Sequence, residues 1–189
     1  LFRHGGFGGA CGVENLHLQG LNAIDGMGND SANQLRGNSA ANRLFGEGGA
    51  DTLIGGDGSD TYGVDDAGDQ VIETNAVTAS GGSDLVLSSL VAYTLPNNVE
   101  NGRIVAGGAA NLDGNTLNNL LYAGVGDNVI AGGVGSDTLS WAHGVIGAGG
   151  VSASLVTGTA SGGSGSDRFT GIEHLIGSTD DDSLTGDGN

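Results

Sequence analysis

The chain has 189 residues, 40 of them glycine and one proline, and its 22 acidic residues face five arginines and no lysine, a formal net charge of -17. Such a surface repels nucleic acid and anionic membranes, and it lacks the basic patches and stacking aromatics that nucleic-acid binders use. Glycine far above the usual ~7% without a G-X-Y period excludes collagen, a 37% hydrophobic share exceeds that of a flexible linker, and 4% aromatics allow only a thin core.

Residues 1–12 (LFRHGGFGGACG) show no period and read as an irregular lead-in. No basic n-region or apolar h-region is visible there, and no run of 18 apolar residues occurs, so no membrane insertion is expected. Cys11 stands alone, which excludes an internal disulfide framework. Next comes VENLHLQG, where Leu16 and Leu18 alternate as in a strand. Val99-Glu100-Asn101 repeats the Val13-Glu14-Asn15 phrase 86 residues later, and Leu53 and Leu139 are 86 apart too. A duplicated module is therefore expected: 13–98 as module one, 99–161 as module two, and 162–189 as the start of a further block continuing past Asn189.

Within module one, residues 28–72 divide into five units of nine: GNDSANQLR, GNSAANRLF, GEGGADTLI, GGDGSDTYG and VDDAGDQVI. The eighth place is always large and apolar (Leu35, Leu44, Leu53, Tyr62, Val71), and the sixth is always Asn or Asp (Asn33, Asn42, Asp51, Asp60, Asp69). A period of nine fits neither a helix face nor a hairpin ladder, but it fits one strand plus one tight turn repeated along a solenoid. Residues 84–95 (DLVLSSLVAYTL) read as one or two strands ending at Pro96.

Module two continues the count at 114–122, 123–131 and 132–140, with Leu121, Ile130 and Leu139 in the apolar place and Asn119, Asn128 and Asp137 in the sixth. Residues 151–159 (VSASLVTGT) alternate and read as one further strand. Two more units, 162–170 with Asp167 and 177–185 with Asp182, flank the phrase Ile172-Glu173-His174-Leu175. No helical face with caps persists anywhere, so almost no helix is expected.

Each unit reads as a six-residue turn and a three-residue strand. Glycine at the first, second and fourth places lets the backbone turn its carbonyls inward, and the sixth-place Asp adds a carboxylate. Of the acids 17 are Asp and five Glu, a bias toward the shorter side chain that closes turns and reaches a cation beside its own backbone. Two such turns one coil apart offer carbonyl and carboxylate oxygens to a hard cation. Calcium suits them best, since Mg2+ demands a tighter octahedron and Zn2+ favours His and Cys.

These units resemble the glycine-rich nonapeptides, G-G-x-G-x-D-x-U-x, of the RTX or hemolysin-type calcium-binding family. Gly55, Gly56, Gly58 and Asp60 match the motif fully, as do Gly132, Gly133, Gly135 and Asp137, and Gly162, Gly163, Gly165 and Asp167; the 46–54 unit has Glu47 for its second glycine. The resemblance implies a right-handed parallel β-roll with two units per coil and several Ca2+ ions between successive turns. It also implies type I secretion to the cell exterior or surface. Metal ligands are expected at Asp51, Asp60, Asp69, Asp137, Asp167 and Asp182 with the glycines just named. Asn33, Asn42, Asn119 and Asn128 also hold sixth places, but a neutral amide is a poorer ligand, and those turns are alternatively metal-free and closed by Asx hydrogen bonds.

No H-E-x-x-H, G-x-S-x-G or P-loop lysine is present, and the four histidines are scattered, so no enzymatic activity is expected. The sequence points to a secreted, calcium-stabilised structural or adhesive β-roll of a surface layer, fibre or adhesin, with copies of itself or cell-surface polysaccharide as candidate partners. The alternative is the non-catalytic folding and secretion portion of an exoenzyme such as a protease, lipase or polysaccharide-modifying enzyme.

Overall fold

The computed structural model describes residues 2–3, 14–75, 81–143, 149–163 and 165–188, and among these every regular element is a strand. Of the expected lead-in, 1–12, all but Phe2–Arg3 lie outside the described residues, as do Val13, Ser164 and Asn189. Contacts divide the chain into two units, Leu1–Leu87 with Pro96–Val99, and Ser88–Leu95 with Glu100–Asn189. The segments 99–161 and 162–189, set apart in the sequence reading, belong to the same unit apart from Val99.

The first unit carries β1 (Phe2–Arg3), β2 (Asn15–His17), β3 (Gly26–Met27), β4 (Gln34–Arg36), β5 (Arg43–Phe45), β6 (Thr52–Ile54), β7 (Thr61–Val64), β8 (Gln70–Ile72) and β9 (Leu85–Ser88). Odd and even strands fall on opposite sheets, β1-β3-β5-β7-β9 and β2-β4-β6-β8. Pairing is parallel and advances by two nonapeptides: Gln34 lies opposite Thr52, Thr52 opposite Gln70, and Arg43 opposite Thr61. A short strand, a turn, a second strand and a second turn thus complete one coil of a parallel β-roll.

Strand alternation turns the eighth-place side chain inward. Leu35, Leu44, Leu53 and Tyr62 are at most 1% exposed, and Val71 is 7%. Their flanks face outward, as the exposed-buried-exposed pattern of β4 shows. The core is therefore one apolar side chain per half-coil, as thin as the composition requires.

The second unit carries β10 (Ala92–Thr94), β11 (Asn101–Ile104), β12 (Asn111–Asp113), β13 (Leu120–Tyr122), β14 (Val129–Ala131), β15 (Thr138–Ser140), β16 (Val151–Ser154), β17 (Thr159–Gly162), β18 (Gly165–Thr170), β19 (His174–Ile176) and β20 (Ser183–Thr185). Asn111 lies opposite Val129 and Leu120 opposite Thr138, the same 18-residue step. Leu112, Leu121, Ile130 and Leu139 are buried on the same pattern.

Here the structure departs from the sequence reading twice. Residues 151–159 do not form one strand: β16 and β17 are the arms of an antiparallel hairpin, with Ser154 opposite Thr159 and a turn over 155–158. Nor is 162–170 a six-residue turn followed by a short strand. Gly162 pairs with Gly165 and β17 runs antiparallel to β18, so the unit begins within an antiparallel pair. Glycine permits both outcomes, at φ 141° for Gly162 and 137° for Gly165. β14 skips this excursion and pairs directly with β18, Val129 opposite Arg168. The expected strand at 84–95 is present as two, β9 and β10.

Candidate metal sites

The sixth-place side chains line up from coil to coil and accept the backbone N–H of the sixth-place residue one coil earlier. In the first unit Asn33 N–H donates to Asp51 Oδ1 at 2.7 Å, Asn42 to Asp60 at 2.7 Å, Asp51 to Asp69 at 2.9 Å and Asp60 to Asp84 at 2.7 Å. In the second, Asn119 donates to Asp137 at 2.7 Å, Asn128 to Asp167 at 2.9 Å, and Asp137 to Glu173 Oε2 at 2.7 Å. This ladder holds each carboxylate at a fixed height along the coil and explains why a short acid or amide recurs at one place in nine.

The turn backbone forms around it. Where glycine or Glu47 holds the second and fourth places of units 46–54 and 55–63, φ is positive: 104° at Gly56, 103° at Gly58, 104° at Gly49 and 64° at Glu47, where the motif has glycine. The first-place glycine is needed for another reason, close approach. A Cβ on Gly46 would run into the Asp51 carboxylate, and one on Gly37 would strike the Asn42 amide oxygen and the Gly55 carbonyl. The first place therefore leaves a cradle in which a sixth-place oxygen and a main-chain carbonyl of the next coil converge.

What fills the remaining lone pairs divides the sixth-place residues into three kinds. The four asparagines close their own turns: Oδ1 of Asn33, Asn42, Asn119 and Asn128 accepts an N–H four residues upstream, at 2.7 to 3.0 Å. Three of them also donate the side-chain amide to a carbonyl, Asn42 to Ile24, Asn119 to Glu100 and Asn128 to Ala110. These are the Asx closures of the metal-free alternative.

A second group of acids has both oxygens engaged. Asp69 Oδ2 accepts the N–H groups of Asp65 and Asp66. Asp182 bonds Val151 N–H through Oδ1 and Ser178 N–H through Oδ2, and these donors with the Ser178 hydroxyl hold its carboxyl below the usual range. Asp167 Oδ2 accepts the indole N–H of the fully buried Trp141 at 2.7 Å.

The third group is Asp51, Asp60 and Asp137, each at most 1% exposed and each with an Oδ2 that has no donor. Burial raises all three, Asp51 and Asp60 to about 6, with the backbone N–H of the ladder partly offsetting it; Asp69 and then its neighbours Asp65 and Asp66 push Asp51 further. A buried carboxylate oxygen without a donor is costly unless a proton or a cation meets it. Hard oxygen donors, a glycine-lined cradle and unpartnered charge together fit calcium.

Glu73, Asp84 and Glu173 were missed by the sequence reading. Asp84 and Glu173 stand in the ladder where the nine-residue count is broken by an insertion, so counting by nines passes over them. Gly81-Gly82-Ser83-Asp84, a shortened turn, and the Ile172-Glu173 phrase were the available signals. Glu73 is buried and its Oε2 also lacks a donor; burial, then Asp84 and Asp60, push it up to about 8. The histidines of the recurrent strand phrases, His17 and His174, are exposed on β2 and β19.

Neither curated proteins nor solved structures gave a match to this chain. A protein-family model for the RTX calcium-binding nonapeptide repeat does match, at residues 27–62, 105–140 and 169–189, in four copies, and it leaves out β2, β8–β11 and the β16–β17 hairpin. Coil period, inward carboxylates and family match agree: over these residues the chain carries RTX calcium-binding nonapeptide repeats.

Proposed function

We propose that this chain is a non-catalytic, secreted structural or adhesive module whose β-roll forms when calcium binds. The observation that carries this reading is the set of buried carboxylate oxygens at Asp51, Asp60 and Asp137 that no donor among the described residues meets. With a net charge of -17 and a core one side chain thick, the metal-free chain has little to offset carboxylate repulsion. Calcium binding free energy then becomes folding free energy. Such coupling suits a module that is unfolded in a calcium-poor compartment and sets outside the cell.

Far-ultraviolet circular dichroism of the full chain, titrated with Ca2+ from excess chelator, tests this. The β signal is expected to be largely absent in chelator and to appear cooperatively with Ca2+. An unchanged β signal in chelator overturns the proposal.

A further inference from the structure

The nine-residue count that places glycine at Gly28, Gly37, Gly46 and Gly55 reaches residue 73 and finds Glu73. Following β8, this residue sits one coil beyond Gly55, 7% exposed. Its side chain enters the space that Gly55 leaves open: a Cβ on Gly55 would meet the Tyr62 hydroxyl, Asp60 Oδ2 and Glu73 Oε1 together. Asp84 joins from the shortened turn before β9. One carboxylate oxygen from each of Asp60, Glu73 and Asp84 lies within 4.8 Å of the others, and all three residues are buried.

Protein donors satisfy only part of this cluster. Tyr62 donates its hydroxyl to Glu73 Oε1, the backbone N–H groups of Gly56 and Thr74 also favour the Glu73 carboxylate, and Asp60 N–H donates to Asp84 Oδ1. Asp60 Oδ2 and Glu73 Oε2 receive nothing, although their residues are 1% and 7% exposed. The charges acting on Glu73 are the like charges of Asp84 and Asp60, and among the described residues no side-chain cation relieves them.

We propose that Asp60, Glu73 and Asp84 form a side-chain calcium site, in which Glu73 supplies a carboxylate at the place where a regular turn has glycine. This rests on the reading of the chain as a calcium binder and adds to Asp60 two ligands, Glu73 and Asp84, that the nine-residue count does not place. Three carboxylates without His or Cys suit a hard cation and not zinc, and Ca2+ accepts an irregular set of oxygens where Mg2+ demands a near-ideal octahedron.

Equilibrium dialysis of radioactive Ca2+ against the full chain and its Glu73→Gln variant tests the site. Glu73→Gln is expected to bind one ion fewer per chain, with the other ions retained. Tyr62 supplies an independent probe, since its ring lies beside the site: Tb3+ luminescence excited through tyrosine is expected to fall several-fold in Tyr62→Phe. Equal Ca2+ stoichiometry in Glu73→Gln, as a shared proton would give, overturns this site alone. A wild-type chain that binds no calcium overturns the site and the proposed function together. Should Glu73→Gln not fold in saturating Ca2+, the terbium comparison decides, and undiminished luminescence in Tyr62→Phe overturns the site.

Discussion

Asp60 and Asp167 hold the same place in the nine-residue unit and accept the same backbone bond, from Asn42 and Asn128, yet their second oxygens meet opposite surroundings. Around Asp60 stand two more carboxylates and no donor for Oδ2. Asp167 meets the Trp141 indole, which donates a hydrogen bond and packs edge-on against Phe169 at 6.1 Å. One motif therefore places a buried carboxylate in two surroundings, one with no donor for its second oxygen and one in which an aromatic N–H supplies it. Sixth-place aspartate alone does not distinguish them; the neighbour of the second oxygen does.

The comparison breaks most visibly if the thin core fails before either charge matters. Leu53→Ala removes a fully buried side chain beside Asp51 and is expected to cost about 2–5 kcal/mol, read as a lowered midpoint in urea at saturating Ca2+. A midpoint within error of wild type would mean that calcium, not packing, holds that coil.

Trp141→Phe leaves Asp167 Oδ2 without its donor and should cost about 1–3 kcal/mol. If Asp167 then resembles Asp60, part of that loss is recovered by raising Ca2+, which thermal melts at two calcium concentrations would reveal. A loss independent of calcium would show the two sites to be different in kind.

Protons sharpen the contrast in chelator. Glu73 near 8 and Asp51 and Asp60 near 6 bind protons more tightly folded than unfolded, where carboxyls titrate near 4. Their contribution to metal-free stability is full below about pH 4 and is lost as pH rises toward 8. The residual β signal in chelator should accordingly be larger at pH 5 than at pH 8. Calcium affinity should move the opposite way, rising with pH as the same carboxyls ionise. Circular dichroism and calcium titrations at the two pH values check both.

The smallest effect is expected at Leu184, an eighth-place residue that is 43% exposed where its counterparts are buried. Leu184→Ala should stay within about 0.5 kcal/mol of wild type by the same melts.

The coil was legible because nine residues return each side chain to the same environment, so Leu35, Leu44 and Leu53 announce one core and Asn33, Asn42 and Asp51 one ladder. The hairpin at β16 and β17 was not, because G-G-x-G describes only backbone freedom: Gly55-Gly56 and Gly162-Gly163 read alike, and what lies downstream decides whether the chain coils or doubles back. Glu73, Asp84 and Glu173 escaped for a related reason. Each takes part in a contact between coils, and a count along one coil carries no information about the next. The Trp141 bond to Asp167 spans 26 residues that include the excursion, beyond the reach of any local pattern.

The ladder also gives each stack of coils a polarity. Every rung runs from a main-chain N–H to a side chain about one coil nearer the carboxyl end, as from Asn33 to Asp51 and from Asn119 to Asp137. Trimming a coil from the amino side removes a donor and leaves behind an acid that water or a cation can still meet. Trimming from the carboxyl side removes an acceptor and leaves behind a main-chain N–H. The two ends of a roll are therefore unequal in what they leave unpaired, a carboxylate at the amino end and a main-chain amide at the carboxyl end.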